Sequence, residues 1–306
     1  MIVVRKRALG IAAVVSALLV CSSARGANPP AGQGMTAEQF EAQLKYQEGK
    51  VTVGDGLASF DLGGAFRYLD PKQTGRVLAV WGNPPGSETL GMLVPAGMST
   101  VSEGSWAIII SYDADGYVDD KGAEKIDYDD MLVKMKKDAV EANKERRKNG
   151  FDPVEVVGWA EPPLYDKASH KLYWAKDLKF GNQPKDTLNY NIRVLGRRGV
   201  LVLNAVAGMD QIATVKTSMQ RLLPAVEFNQ GHRYADFIPG KDKLAEYGIG
   251  ALVVGTLAAK TGLFKALLVG LLAFKKALIV GLAALGAWFR KMFAKKKAAA
   301  QAPIEP

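Results

Sequence analysis

Cysteine and histidine are almost missing from this chain of 306 residues, which has one Cys (Cys21) and two His (His170 and His232). A histidine-rich or thiolate metal centre is thereby excluded, because such centres gather several of these ligands at one place. Nucleotide signatures are missing as well: no G-x-x-x-x-G-K-[ST] loop occurs, and no G-x-G-x-x-G follows a strand-like run. There is no G-x-S-x-G elbow to expose a serine nucleophile. Acidic residues are scarce at both ends, where basic and apolar residues take their place.

Residues 1–24 read as a secretory signal peptide. Arg5, Lys6 and Arg7 precede an apolar run from Ala8 to Val20, and small residues follow. The run is too short to span a bilayer, which takes roughly 20 residues. Ser22-Ser23-Ala24 offers a cleavage site, and residues 25–35 read as a linker. Cys21 raises the alternative of a lipoprotein signal, disfavoured by the bulky Val20 before it. Cleavage after Ala24 leaves no cysteine, and so no disulfide or thiol nucleophile in the mature chain.

At the other end, apolar residues dominate from Tyr247 to Phe289, interrupted by Lys260, Thr261, Lys265, Lys275 and Lys276. Small residues recur among them, as in membrane helices that pack closely. A connector over 238–246, membrane-anchoring helices over 247–293 and a basic, then Ala/Pro-rich tail over 294–306 are expected. Tyr247 to Phe264 makes about 27 Å of helix. The later run, Ala277 to Phe289, is shorter, and a second crossing would carry Arg290, Lys291 and Lys295–Lys297 outward, against the positive-inside rule. One crossing plus an interfacial or re-entrant helix is therefore favoured over a hairpin. The expected location is the cytoplasmic membrane of a bacterium, with the main domain periplasmic and the lipid bilayer as a partner.

Charge partition agrees with this layout. The formal net charge is +9, from 40 Lys and Arg against 31 Asp and Glu. Four of the basic residues lie in the first 25 positions and nine follow Tyr247, while Glu305 is the one acid of the tail; 27 basic and 30 acidic residues remain between. The folded part is thus three charges negative, which excludes a basic nucleic-acid face. The basic tail suits anionic headgroups.

Residues 36–237 read as an α+β domain: an antiparallel sheet packed by two main helices and covered on one face. Thr36-Ala37-Glu38-Gln39 fits a capping box. Strand-like runs occupy Val51–Val53, Arg76–Trp81, Thr89–Val94, Trp106–Tyr112, Val154–Trp159, Lys171–Leu178 and Leu188–Val194. In the last of these, apolar and polar residues alternate as in a half-exposed strand. Gly196–Gly199 turns the chain into Val200–Val206. Asp127 caps a helix whose face is Tyr128, Met131, Leu132, Met135 and Ala139, and a final helix from Asp210 carries Ile212, Val215, Met219 and Leu222.

Several long blocks carry a resemblance: VLAVWGNPPGSETLGMLVP, SYDADGYVDDKGAEKIDYDDML, GWAEPPLYDKASHKLYWAKDL, LNYNIRVLGRRGVLVLNAVA and GHRYADFIPGKDKLAEYGIGALVVG. Together they resemble the bacterial family of uncharacterised membrane-anchored proteins known as domain-of-unknown-function family 2167, over roughly Lys50 to Phe293. The resemblance implies an envelope protein with a C-terminal anchor. It supplies no activity and no catalytic residues.

Two patterns place a tryptophan three residues ahead of a proline pair, Trp81-Gly82-Asn83-Pro84-Pro85 and Trp159-Ala160-Glu161-Pro162-Pro163. Each follows a β-branched run and reads as a stiff strand exit, because proline pushes the residue before it into extended backbone. Trp159, Glu161, Tyr165 and His170, with Trp81 and Asn83, form the candidate partner-binding surface, since aromatics immobilise large area at low entropy cost. Asp113, Asp115, Asp119 and Glu124 fall at EF-hand positions 1, 3, 7 and 12, but Val118 stands where the loop needs Gly, so an Asp-Gly hairpin turn is the plainer reading. Ser169-His170 are chain neighbours and poorly placed to act as nucleophile and base. The expectation is a non-enzymatic envelope module that binds a protein or glycan partner, without a cofactor. The alternatives are a hydrolase using acidic-loop carboxylates with His170, and a membrane-remodelling protein acting through its basic tail.

Overall fold

In the computed structural model, which describes residues 35–83, 88–148 and 150–254, the first element is the one its capping box dictates. The Thr36 hydroxyl accepts from the Gln39 N–H at 3.2 Å and the Gln39 side chain accepts from the Thr36 N–H at 2.9 Å, opening α1 (Ala37–Ala42). Three short strands follow, β1 (Lys50–Val53), β2 (Ala58–Asp61) and β3 (Phe66–Leu69).

Next comes α2 (Pro71–Val80), which corrects the strand expected over Arg76–Trp81. Asp70 accepts from the Gln73 N–H at 2.8 Å, and Pro71 sits in the first turn, where its missing N–H costs nothing. Val77 and Leu78 are buried against the sheet. The helix start signal outweighs the β-preference of Val77 and Val80, a preference that depends on packing context. The first tryptophan–proline pattern therefore ends a helix, not a strand.

After β4 (Gly91–Pro95) and β5 (Ala107–Asp113) the chain forms α3 (Tyr128–Lys148). Its face is as read: Met135 is buried and Tyr128, Met131, Leu132 and Ala139 are partly so. Asp127 caps it, accepting from the N–H groups of Asp129 and Asp130. Four long strands then run in succession, β6 (Val154–Asp166), β7 (Lys171–Phe180), β8 (Thr187–Leu195) and β9 (Val200–Gly208). The last described elements are α4 (Ile212–Leu222), β10 (Val226–Phe228) and α5 (Gly250–Val254).

The strands make two antiparallel sheets, one of three strands in the order β1-β2-β10 and one of seven in the order β3-β4-β5-β9-β8-β7-β6. The mixed α/β class and antiparallel pairing agree with the sequence reading; the split into two sheets is new. Between them lies the main core. Ile108, Ile110, Tyr190, Ile192, Leu203 and Ala205 project from the large sheet toward Phe60 of the small one and toward Val215, Met219 and Leu222 of α4. Phe66 and Trp106 meet edge to face at 6.2 Å.

The expectation of a sheet covered on one face is corrected. All nine residues of β8 are buried, including Asn189, Asn191 and Arg193. Alternation in β8 is real, but the polar side faces protein rather than water. Leu69, Met92, Val94, Ala107 and Ile109 of that second face lie under α2. Leu172, Trp174, Leu195 and Val200 lie under Ile249, Leu252 and Val253.

One buried side chain fastens α3 to the sheet edge. Asn143 donates to the Val154 carbonyl at 2.8 Å and accepts from the Val154 N–H at 2.7 Å. Asn143→Ala strands both backbone groups, so a loss of about 2 kcal/mol is expected, read as a lower urea midpoint at unchanged slope.

Candidate functional site

The β6–β7 hairpin brings together two of the residues singled out from sequence. Asp166 shapes its turn by accepting from the Ala168 N–H at 2.9 Å and from the Ser169 hydroxyl at 2.5 Å. His170 closes the turn at φ +52°, a left-handed conformation that glycine or asparagine adopts more cheaply. Its ring is held from two sides. Nδ1 lies 3.2 Å from the Tyr165 hydroxyl and 3.6 Å from Asp120, and the ring centroid lies 4.1 Å from that of Tyr234.

The proton order of this cluster follows from its donors. Tyr165 has one O–H, given to Asp120 at 2.7 Å. Its oxygen is then an acceptor, so His170 Nδ1 carries the hydrogen that points at it. Burial, then the hydrogen bond to Asp120, pushes the Tyr165 phenol well above its ordinary range. Tyr165 is thus a fixed donor, and Ser169 is turned to Asp166 rather than to His170.

What the cluster grips is the chain beyond the last strand. Tyr117 stacks between Tyr234 and Phe237, with centroids at 4.3 and 4.0 Å. Tyr234 donates to the Val118 carbonyl at 3.0 Å. Further on, the Tyr117 N–H donates to the Lys243 carbonyl at 2.9 Å, and the Ala245 N–H donates to the Tyr117 carbonyl at 2.8 Å. Gly116 permits this approach: at φ +116°, a Cβ there would stand 2.8 Å from the Lys243 oxygen. Arg197 forks onto Asp242 at 2.6 and 3.1 Å, and Tyr247 donates to Asp115 at 3.0 Å. Residues 231–254 therefore form a strap bound along the domain and ending in α5.

The other candidates part company. Trp159 packs into the cluster under α5, its Nε1 3.4 Å from the Tyr128 carbonyl. Glu161 belongs to the opposite face, 3.1 Å from Lys216 of α4. Between them β6 shifts register, and it shifts again before Leu164. So the second proline pair lies inside a bulged strand, which corrects the reading of a strand exit. Trp81 donates to the Thr100 carbonyl at 2.8 Å and packs with α2, and Asn83 donates to the Leu78 carbonyl at 3.2 Å; Pro84 and Pro85 lie outside the described residues. These two sit by the opposite sheet edge from Trp159, so the six candidates do not make one surface.

In the acidic loop Asp119 accepts from the Lys121 N–H at 2.9 Å, Asp115 accepts from Tyr247, Asp113 ends β5 and Glu124 lies in a 3-10 turn. Among the described residues no three of His, Cys, Asp and Glu converge as metal ligands would. Asp120, Tyr117, Tyr234 and Phe237 were missed, because they join His170 only through contacts between distant parts of the chain. The one local signal was an aromatic run just past the final strand.

The fold and this site define an α+β domain with two antiparallel sheets and a C-terminal strap clamped by aromatic side chains. The family model described as Protein of unknown function (DUF2167) matches residues 45–286, and the chain belongs to that family. No curated protein matches. Among solved structures, cyanobacterial PsbP (CyanoP) from Synechocystis is similar with a TM-score of 0.34 at 12% identity, over 61% of this chain and 94% of that one. The Ran-binding protein Mog1p of Saccharomyces cerevisiae is similar with a TM-score of 0.33 at 8% identity, over 64% of this chain and 100% of that one.

The strap has an acid limit. Its hydrogen bond with Arg197 holds the Asp242 carboxyl down to about 2, against about 3.9 in an unfolded chain. A depressed folded value means that the stabilisation is complete above the unfolded one and fades as pH falls through about 2. Asp242→Asn and Arg197→Met should each raise the rate of proteolytic cutting between Phe237 and Tyr247 several-fold at neutral pH, and remove the acid-dependent step. His170→Gly should relieve the turn yet loosen the same strap; unchanged cutting in that variant would show that the histidine ring does not hold it.

Proposed function

We propose that this chain is a membrane-anchored envelope protein whose α+β domain lies outside the cytoplasmic membrane and binds or senses a partner rather than turning over a substrate. The observation that carries this reading is the use to which the reactive-looking residues are put. His170, Tyr165, Asp120 and Asp115 spend their hydrogen bonds on one another and on the strap. The strap leads through α5, with Leu252 and Val253 buried, into the apolar run that continues past Val254. Residues used in this way hold the fold together, which suits a module that binds. The basic and apolar ends of the sequence supply the rest of the support: a signal-like start and a lysine-rich finish.

The hydrolase alternative needs His170 to take a proton from a hydroxyl or water beside an acidic residue. Ser169 donates to Asp166 instead, and Asp120 already accepts from Tyr165. A protein or glycan partner is the class proposed, and in vivo crosslinking in the native membrane is the means of finding it.

Topology is tested with a reporter active only outside the cytoplasm. Fused after Gly240 it should be active, and fused after Lys297 inactive, as one crossing requires. Activity at both positions would replace one crossing by two, and inactivity at Gly240 would overturn the extracytoplasmic reading.

A further inference from the structure

In its middle the strap carries the sequence Ile238-Pro239-Gly240-Lys241-Asp242-Lys243-Leu244, and the fold sorts these residues by chemistry. Pro239 and Gly240 take the central places of a type II pattern of turn, with Gly240 at φ +76° and the Lys241 N–H donating to the Ile238 carbonyl at 3.1 Å. The one acid turns inward. Asp242 accepts from the Ile238 N–H at 2.8 Å and from Arg197 at 2.6 and 3.1 Å, Arg198 lies 3.4 Å away, and the carboxylate side chain is 4% exposed.

The cations and the apolar side chains are left outside. Ile238 is 41% exposed and Leu244 58%, and Lys241 and Lys243 are exposed between them. The strap cannot roll to hide them, because the Lys243 carbonyl and the Ala245 N–H are both bonded to Tyr117. Among the described residues neither lysine is in an ion pair. Two arginines share the single Asp242 carboxylate, so Arg198, 55% exposed, adds to the positive side. Glu246 is the exposed acid nearest to Leu244 in sequence.

Single exposed apolar residues are ordinary on a protein surface. Here two of the eight exposed large hydrophobics among the described residues fall within seven positions, interleaved with lysines. That combination suits a surface of anionic headgroups over hydrocarbon, where cations meet the phosphates and apolar tips enter the boundary. The course of the chain selects lipid over an acidic protein. Leu244 precedes Val254 by ten residues, a span of at most about 35 Å, and beyond Val254 the apolar run of the sequence continues to Phe289.

We propose that Ile238, Lys241, Lys243 and Leu244 form a docking edge by which the folded domain itself rests on an anionic bilayer surface. This rests on the membrane-anchored reading above, since an anchor is what keeps the strap within reach of a bilayer. The attraction is screened over about 10 Å at 0.1 M salt, so the docking weakens as ionic strength rises.

The test uses the full chain, with Cys21→Ser, in vesicles of phosphatidylcholine with or without phosphatidylglycerol. A nitrobenzoxadiazole label is placed at Ile238→Cys, at Leu244→Cys, or at Thr52→Cys, an exposed control on β1. Flotation comes first: a chain that does not float with the vesicles overturns the anchored reading and the docking with it. In a chain that floats, the labels at 238 and 244 should emit at shorter wavelength and be quenched several-fold by brominated lipid when phosphatidylglycerol is present. The label at 52 should show neither effect. Lys241→Glu with Lys243→Glu, both exposed and so expected to leave the melting temperature unchanged, should abolish the shift, and high salt should reduce it. Flotation without a shift at 238 and 244 overturns the docking alone. So does a shift that is equal in neutral vesicles, equal at 52, or intact in the double variant. A shift that follows the protein-to-lipid ratio rather than phosphatidylglycerol assigns the edge to a second copy of the chain, and overturns the proposal as well.

Discussion

Burial of β8 on both of its faces is the constraint from which the rest of the architecture follows. A central strand with nine buried residues cannot leave either side of its sheet to water, so two separate covers are needed. One is made by the small sheet and α4. The other is assembled from pieces far apart in sequence: α2 over β3, β4 and β5, and the strap with α5 over β7, β8 and β9. That second cover explains why residues after the last strand belong to the domain and why aromatic side chains fasten them there.

The covers differ in chemistry. Against the small sheet the packing is apolar, with Tyr190, Trp106 and Phe66 among the large side chains. Beneath α5 the sheet presents Asn189, Asn191 and Arg193, which must be satisfied by one another because no water-facing side is left to them. A polar ladder of this kind carries no stability advantage over apolar packing, and removing one member is costly. It lies on the same face of the large sheet as the residues packed under the strap.

Much of the secondary structure was legible. The capping box at Thr36, the cap at Asp127, the face of α3, the turn at Gly196–Gly199 and the buried stripe of α4 each depend on residues within one or two turns of each other. The helix at α2 was misread because its β-branched residues suggested a strand, although Asp70-Pro71 is a start signal of the ordinary kind. The bulged course of β6 through Pro162 and Pro163 was not legible, since a proline pair in a strand normally marks its end. Of the site, Tyr165 and His170 were found as a local aromatic cluster; Asp120 and Tyr234 were not, because 45 residues separate Tyr165 from one and the other reaches Asp120 across 114.

By itself the sequence determined which side chains share a face, where helices start, which chemistries are excluded for want of ligands, and to which family the chain's blocks point. Those features rest on spacing and composition, which are local. Only the tertiary structure decided that the polar side of β8 faces protein, that Glu161 and Trp159 serve opposite faces, and that His170 packs against Tyr234 of the strap. Each of those outcomes depends on what packs against a face, and the partner in every case comes from a distant stretch of the chain.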